Sequence, residues 1–349
     1  MARPTAIRRI LIPLLAACLL LANCAPSLQP MGPRAVEPSL TETAYVAADG
    51  VELPLRHWLP SGKEPKAVIL ALHGFNDYAQ AFDMPGAWWA LHGVATYAYD
   101  QRGFGQAGRR GIWPGTETLV ADLLNATRAV QARHPGVPLY LLGESMGGAV
   151  ILTALAGRGL PAGVKGAILS APAVWSRDTM PFYQRAALAA ASWTVPWLAM
   201  KPPKGIKIQA SDNIEMLRAL GRDPLVIKRT RVDAVRGLTD LMDRAMHSAR
   251  MFNVPALVMY GDHEQLIPRE PVDIALSSLP AGGPRVAVYA DGWHLLLRDL
   301  QAEIVWRDVL AWIDAPDAPL PSGADRHPRT RPLQATLPRA SQPTDAAAR

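Results

Sequence analysis

The chain has little cysteine, with only Cys18 and Cys24 among its 349 residues. Cys18 lies inside a short apolar run, residues 10–21, of the kind that export signals carry. Cleavage of such a signal would remove Cys18 and leave Cys24 without a partner. The sequence therefore excludes a disulfide framework, even though the export that it predicts leads to an oxidising compartment.

The chain also lacks a strong charge of either sign. Its formal net charge is +6, but the first 23 residues hold three arginines and no acidic residue, and residues 315–349 hold five arginines against three aspartates. The remaining residues carry a net charge of about +1. Binding to nucleic acid therefore has no electrostatic support.

The apolar run of residues 10–21 is too short to cross a bilayer, which takes about 20 residues. It follows Arg3, Arg8 and Arg9 and precedes small and polar residues. This layout predicts a secretory signal peptide over residues 1–23 and export of the rest of the chain.

The signal ends in Leu21-Ala22-Asn23-Cys24, which resembles the lipoprotein box of bacterial export signals. The resemblance implies that Cys24 is acylated and anchors the protein to a membrane of the cell envelope. By analogy with lipoprotein sorting, Ala25 implies the periplasmic side of the outer membrane. Asn23 stands where the box usually has a small residue, so an ordinary cut near Cys24, giving a soluble exported protein, stays an alternative.

Composition divides the remaining chain into three parts. Residues 24–40 are rich in proline and poor in apolar periodicity, which predicts a flexible tether. Over residues 41–314, strand-like and helix-like runs alternate and predict an α/β domain with a mostly parallel sheet covered by helices. Residues 315–349 hold seven prolines and few large apolar residues, which predicts a disordered tail.

The strand pattern stops between about residues 174 and 253, where helix-like segments alternate with proline-rich breaks. We expect a helical cap here, inserted over the sheet after the sixth strand. As a set, its aromatic and methionine side chains suit an adaptable apolar pocket, whereas any single one of them is better explained by packing of the cap onto the sheet. The apolar side chains in question are Met180, Phe182, Tyr183, Leu188, Trp193, Trp197, Leu198 and Met200.

The pentapeptide Gly143-Glu144-Ser145-Met146-Gly147 follows a predicted strand, residues 138–142, and precedes a predicted helix, residues 149–155. It matches the nucleophile elbow G-x-S-x-G, in which the serine sits on a strained turn between strand and helix. Only Gly143 and Gly147, two residues to either side, would let the neighbouring backbone pass closely. The pattern therefore predicts Ser145 as a nucleophile.

A serine hydroxyl needs a base to take its proton, and imidazole has the fitting pKa. His294 follows a predicted strand late in the chain and is the expected base, with His263 as its rival. Asp262 ends another strand and is expected to orient the imidazole, with Glu264 as the substitute acid. The order Ser, Asp, His along the chain is typical of α/β-hydrolases.

A tetrahedral intermediate carries an oxyanion that needs two aimed donors. We expect the backbone amide of Met146 to supply one donor and that of Phe75, in the run His73-Gly74-Phe75, to supply the other. His73 itself is expected to be a structural hydrogen-bonding residue. Residues 100–105, Asp-Gln-Arg-Gly-Phe-Gly, are interpreted as a structural turn near the site.

These motifs together resemble the branch of α/β-hydrolases that contains monoacylglycerol lipases, lysophospholipases and serine-aminopeptidase-like enzymes. The resemblance covers roughly residues 44–313. Lipases of the branch commonly carry a second glycine and a histidine soon after the His-Gly pair, whereas Phe75-Asn76-Asp77-Tyr78 follows here. The motifs that match in order and spacing are His73-Gly74, residues 100–105, Gly143 to Gly147, Gly261-Asp262 and Gly292-Trp293-His294.

The resemblance implies an enzyme without metal or cofactor that hydrolyses acyl esters, with monoacylglycerols and lysophospholipids as leading substrates. Two alternatives stay open. A peptidase or amidase of the same branch would need cap carboxylates such as Glu215, Asp233 or Asp240 to bind a free amine. A non-catalytic envelope lipoprotein would use the fold only as a binding module.

Overall fold

The computed structural model describes residues 26–201, 208–280 and 282–326. Its main sheet has ten strands in the order β1-β2-β3-β5-β4-β6-β7-β10-β11-β12. The pairs from β5 through β11 are parallel, and the strands at both ends are antiparallel. The strands are β1 (Ser39–Leu40), β2 (Ala44–Val46), β3 (Glu52–Trp58), β4 (Ala67–Leu72), β5 (Val94–Tyr99), β6 (Leu139–Glu144), β7 (Val164–Ser170), β10 (Ala256–Gly261), β11 (Arg285–Tyr289) and β12 (Asp325–Arg326).

The central strands are continuous apolar runs because helices cover both faces of the sheet. In β4, Val68, Leu70 and Leu72 pack into one core, and Ile69 packs into the core on the opposite face. The helices are α1 (Asp83–Leu91), α2 (Thr116–Arg133), α3 (Met146–Leu155), α4 (Phe182–Thr194), α5 (Ile214–Arg222), α6 (Val232–Ala249), α7 (Arg269–Ser278) and α8 (Ala302–Asp314). This architecture confirms the predicted α/β fold with a mostly parallel sheet.

The predicted cap is present between β7 and β10. It contains α4, α5, α6 and a small antiparallel pair, β8 (Ala199–Met200) with β9 (Thr230–Arg231). Helix α6 belongs to the main core as well, since Leu241 and Ala245 are buried there. β7 is the sixth strand of the domain predicted to begin at residue 41, so the insertion point is as expected.

The described part of the predicted tether is packed on the domain, so the prediction of a free linker is wrong for residues 26–40. The backbone amide of Ser27 donates to Oδ2 of Asp233 at 3.1 Å, and that of Gln29 donates to the carbonyl oxygen of Trp113 at 2.9 Å. β1 also joins the sheet edge. Proline-rich sequence without apolar periodicity can still be ordered when its backbone amides find acceptors on a folded body.

The predicted tail is likewise ordered over residues 315–326. β12 pairs with β11, Leu320 is buried, and the backbone amide of Ser322 donates to Oδ1 of Asp308 at 3.1 Å. The signal peptide, Cys24 and residues 327–349 lie outside the described residues. No helix in the described ranges is long and apolar enough to cross a membrane.

Candidate active site

Ser145 sits on a sharp turn between β6 and α3, with φ 53° and ψ −111°. This left-handed backbone is rare for a residue with a side chain and stores strain. The flanking glycines are required by close packing. A Cβ on Gly143 would lie 2.4 Å from backbone of Gly147, and a Cβ on Gly147 would lie 2.2 Å from the carbonyl oxygen of Leu72. The predicted elbow geometry, over residues 143–147, is therefore present.

His294 is buried in the histidine loop, residues 290–298, which follows β11. Its Nδ1 lies 2.6 Å from Oε2 of Glu264. The other oxygen of Glu264 accepts the backbone amides of Leu266 at 2.7 Å and Ile267 at 3.1 Å. The imidazole therefore donates through Nδ1 to a fixed carboxylate, which leaves Nε2 for the proton of a nucleophile.

The expectation that Asp262 would make this contact is wrong. Asp262 is more exposed, and its Oδ1 lies 3.9 Å from Nη1 of Arg269. The backbone amide of Glu264 donates to the carbonyl oxygen of Gly261 at 3.3 Å and so closes a turn after β10. Glu264, past this turn, is the residue that reaches His294. Glu264, the alternative acid in the sequence, therefore makes the contact with His294 that was expected of Asp262.

Burial and charge act in opposite directions on this pair. Burial disfavours the imidazolium, but the Glu264 carboxylate outweighs it and raises the pKa of His294. Burial also disfavours the carboxylate, but His294 and two backbone amides lower the pKa of Glu264. The pair is thus arranged to hold an imidazolium opposite an ionised carboxylate, the state that forms when the histidine takes a proton.

The oxyanion loop, residues 74–77, runs beside Ser145, since a Cβ on Gly74 would lie 3.4 Å from that of Ser145. Within the described residues, the backbone amides of Phe75 and Met146 donate to no acceptor. Met146 is also the first residue of α3, where the helix N-terminus favours negative charge. Both amides that the sequence singled out are thus available to an oxyanion.

His73 has the structural role that was predicted. Its Nδ1 lies 2.8 Å from the carbonyl oxygen of Gly74, and its Nε2 accepts the backbone amide of Gln101 at 3.0 Å. Burial lowers the pKa of His73, so the ring stays neutral. The turn at residues 100–105 is also structural. Asp100 accepts the backbone amides of Ala79 and Gln106, and Arg102 is buried between Asp49 and Asp122.

A cavity of about 520 Å³ opens over Ser145 and His294, between the sheet and the cap. Its walls are largely apolar, and two of the cap side chains predicted to line it, Met180 and Leu188, do so. The other six do not line it and are exposed on the outside of the cap. We call them the cap patch: Phe182, Tyr183, Trp193, Trp197, Leu198 and Met200.

A charged cluster that no sequence motif indicates lies at the cavity wall, where Asp77 and Glu144 are among the lining residues. The buried guanidinium of Arg298 lies 2.7 Å from Oε1 of Glu144 and 2.8 Å from Oδ2 of Asp77. Burial raises the pKa of Glu144, although Arg298 opposes the shift. No motif marks Arg298, and only its position four residues after His294 hinted at the site.

The cap carboxylates considered for binding an amine are paired elsewhere. Glu215 contacts Arg218 on the surface, Asp233 contacts Arg231, and Asp240 contacts Arg177. None of the three carboxylates is among the residues that line the described cavity. They therefore do not supply the amine site for which they were considered.

The sequence matches known proteins over most of its length. A family model described as "Serine aminopeptidase, S33" matches residues 63–301. The monoglyceride lipase of Rattus norvegicus is 25% identical over 274 residues, which are 77% of this chain and 88% of that protein. The monoacylglycerol lipase of Mycolicibacterium smegmatis is 24% identical over 290 residues, which are 80% of this chain and 98% of that protein.

A solved structure shares the fold. A soluble variant of monoglyceride lipase from Saccharomyces cerevisiae, in complex with a substrate analog, superimposes with a TM-score of 0.65 at 19% identity. The match covers 81% of this chain and 98% of that chain. The family model spans more than half of the sequence, including the elbow and the histidine loop. The chain therefore belongs to the serine aminopeptidase S33 family, and it is a serine hydrolase with the α/β-hydrolase fold.

Proposed function

We propose that the protein is a carboxylester hydrolase that cleaves monoacylglycerols or lysophospholipids, with Ser145, His294 and Glu264 as its catalytic residues. The observation that carries the proposal is the largely apolar cavity of about 520 Å³ that ends at Ser145 and His294. A cavity of this size and character suits an acyl chain. The relatives from rat and M. smegmatis, both named as lipases of this substrate class, support the same choice.

In the proposed mechanism, His294 Nε2 takes the proton of the Ser145 hydroxyl as its oxygen attacks the ester carbonyl carbon. The carbonyl oxygen becomes an oxyanion that accepts hydrogen bonds from the amides of Phe75 and Met146. Each such donor is worth on the order of 3 kcal/mol in the transition state. Glu264 holds the imidazole by its Nδ1–H and stabilises the imidazolium that forms.

Collapse of the tetrahedral intermediate breaks the ester bond, and His294 gives its proton to the departing alcohol. The acyl group stays on Ser145 while the alcohol leaves. Water then attacks the acyl-enzyme, with His294 as the base again, and releases the fatty acid. All groups that this cycle needs come from the chain itself.

An ester is favoured over a peptide substrate because no lone carboxylate lines the described cavity. A free amine would require one, whereas Asp77 and Glu144 both contact Arg298. A non-catalytic binding protein is disfavoured as well. Such a protein has no need of a strained serine beside a histidine and a carboxylate fixed at 2.6 Å from each other.

Hydrolysis of a p-nitrophenyl ester series from acetyl to palmitoyl tests the proposal. We expect kcat/KM to peak at medium or long acyl chains, because each added methylene that is buried in the apolar cavity contributes about 0.8 kcal/mol to the binding free energy. Monoacylglycerol and lysophospholipid should follow the same chain-length preference. Activity on acetyl and butyryl esters alone would contradict the lipid substrate, and release of amine from aminoacyl anilides without esterase activity would favour the peptidase.

The protein is further proposed to act on a membrane surface, anchored through Cys24. The cap patch supports this, since Phe182 and Trp193 are each 75% exposed. The course of the N-terminal segment also supports it. Ser27 is hydrogen-bonded to Asp233, whose own backbone amide donates to the carbonyl oxygen of Pro196 beside the patch. Ser27, three residues after Cys24 in the sequence, is therefore held close to the cap patch.

Flotation with phospholipid vesicles tests this part. We expect a soluble form beginning at residue 26 to bind vesicles, and Phe182→Ser with Trp193→Ser to weaken binding about 10-fold or more, because two large apolar side chains no longer enter the lipid. Leu91→Ser is the matched control, since Leu91 is 85% exposed at the end of α1, away from the cap. Equal binding by both variants, or none by the parent, would contradict a lipid-facing cap.

A further inference from the structure

Three segments of the active site converge on one buried guanidinium. Arg298 ends the histidine loop, and its side chain is 5% exposed. One nitrogen, Nη2, contacts Glu144 of the nucleophile elbow at 2.7 Å and Asp77 of the oxyanion loop at 2.8 Å. The base, the nucleophile and one oxyanion donor therefore lie on loops that share this contact.

On its side facing the core, the oxyanion loop is held by the contact between Asp77 and Arg298. Asp77 is two residues after Phe75, and its remaining oxygen accepts the neighbouring backbone amide of Tyr78 at 2.9 Å. The outer side is tied to the cap, where Asn76 donates to Oγ1 of Thr230 at 2.8 Å. A shift of the inner contact would turn the Phe75 amide away from the oxyanion.

The charges around the oxyanion also indicate a role for Arg298. Glu144 is fully buried, directly before the nucleophile, and its Oε2 has no hydrogen-bond partner in the described structure. Two buried carboxylates beside a forming oxyanion would repel it and raise the barrier. Arg298 is the buried cation in contact with both carboxylates, so it offsets their charge where the oxyanion forms.

We propose that Arg298 is a positioning residue: by bridging Asp77 and Glu144 it holds the oxyanion loop against the nucleophile elbow and keeps the Phe75 amide aimed at the oxyanion. The inference rests on the proposed function for its mechanism, because it assigns Phe75 and Ser145 their roles there. It adds a residue that contacts neither the substrate nor the reacting atoms.

The conservative variant Arg298→Lys keeps the positive charge but not the reach of the guanidinium. We expect kcat on p-nitrophenyl butyrate to fall about 10-fold or more while KM stays within about threefold, because transition-state contacts are lost and ground-state binding is not. The inhibition constant of an alkylboronic acid, which forms a tetrahedral adduct on serine, should rise in the same proportion. The melting temperature should change little.

A neutral variant separates positioning from mere charge pairing. Removing Arg298 alone would leave two unpaired buried carboxylates and could unfold the protein. The triple variant Asp77→Asn, Glu144→Gln, Arg298→Met has no charge left to compensate. We expect it to regain thermal stability close to that of the parent, yet to keep a kcat about 100-fold lower because the bridge between the loops is absent.

The outcomes are distinct. A stable triple variant with the parent's kcat would overturn the proposal, and a stable one with low kcat would support it. If the triple variant does not fold, Arg298→Lys decides: unchanged kcat, KM and boronate inhibition overturn the proposal. The rate at which a fluorophosphonate labels Ser145 should rank the parent and the Arg298 variants in the same order, and this measurement needs no ester substrate. Failure of the parent to hydrolyse esters would thus count against the proposed function and not against Arg298.

Discussion

Replacing Ser145 with alanine is expected to lower kcat on the best p-nitrophenyl ester by about 10⁴- to 10⁶-fold. The reason is that covalent catalysis ends when the hydroxyl is removed, while the oxyanion amides and the cavity remain. Alanine meets the same backbone strain as serine at φ 53°, so the fold should persist. Steady-state kinetics and thermal unfolding of the same preparation check both parts.

Ser192→Ala is a matched control for this variant. Ser192 is buried in α4, and its hydroxyl donates to the carbonyl oxygen of Leu188 within the helix. It should leave kcat within about twofold because its hydroxyl bonds only within the helix and Ser192 is not among the residues that line the described cavity. More than about 1% residual activity in Ser145→Ala, after contamination is excluded, would point to another nucleophile.

A second prediction with a large expected effect on kcat distinguishes Glu264 from Asp262, the two acidic residues on the loop after β10. We expect Glu264→Gln to lower kcat by about 10³- to 10⁴-fold, because an amide neither stabilises the imidazolium nor fixes the required tautomer. Asp262→Asn should change kcat less than about threefold, since Asp262 lies near Arg269 instead of His294. Both substitutions keep size and shape, so each controls for the other.

The pH profile gives this prediction a second readout. The base must be neutral to accept a proton, so activity falls as the pH drops through the pKa of His294. Glu264 raises this pKa. The acid limb of the parent's pH–activity profile should therefore lie above the pH of about 6.5 that is typical of imidazole. In Glu264→Gln the limb should move to lower pH. A limb that moves in Asp262→Asn instead would restore the acid that sequence order suggested.

Much of the site follows from local sequence. The elbow is encoded by contiguous residues, since a serine between two glycines, after a strand and before a helix, has few other conformations. His294 and the Phe75 amide could be located because each follows a strand of a parallel sheet, where the carboxyl ends of the strands meet. The fold was predictable for the same reason, because alternating apolar runs reflect a sheet that is covered on both faces.

The assignment of the acid failed because it depends on a turn and not on a pattern. Asp262 and Glu264 are two residues apart on one loop, and the hydrogen bond from the Glu264 amide to Gly261 decides which of them faces His294. The prediction of which cap side chains line the pocket was mostly wrong for a similar reason. The aromatic content of α4 did not reveal that its aromatic side chains point outward, because that direction depends on what α6 and the sheet already cover.

The sequence by itself therefore determined the fold class and the elbow at Ser145, and it singled out His294 and the backbone amides of Phe75 and Met146 as candidates, because these features follow from short stretches of neighbouring residues. Only the tertiary structure decided that Glu264 contacts His294, that residues 26–40 lie on the domain and that Arg298 joins Asp77 to Glu144. These are contacts between distant segments, the last one spanning more than 200 residues. Their geometry depends on how the whole chain packs, which no local pattern records.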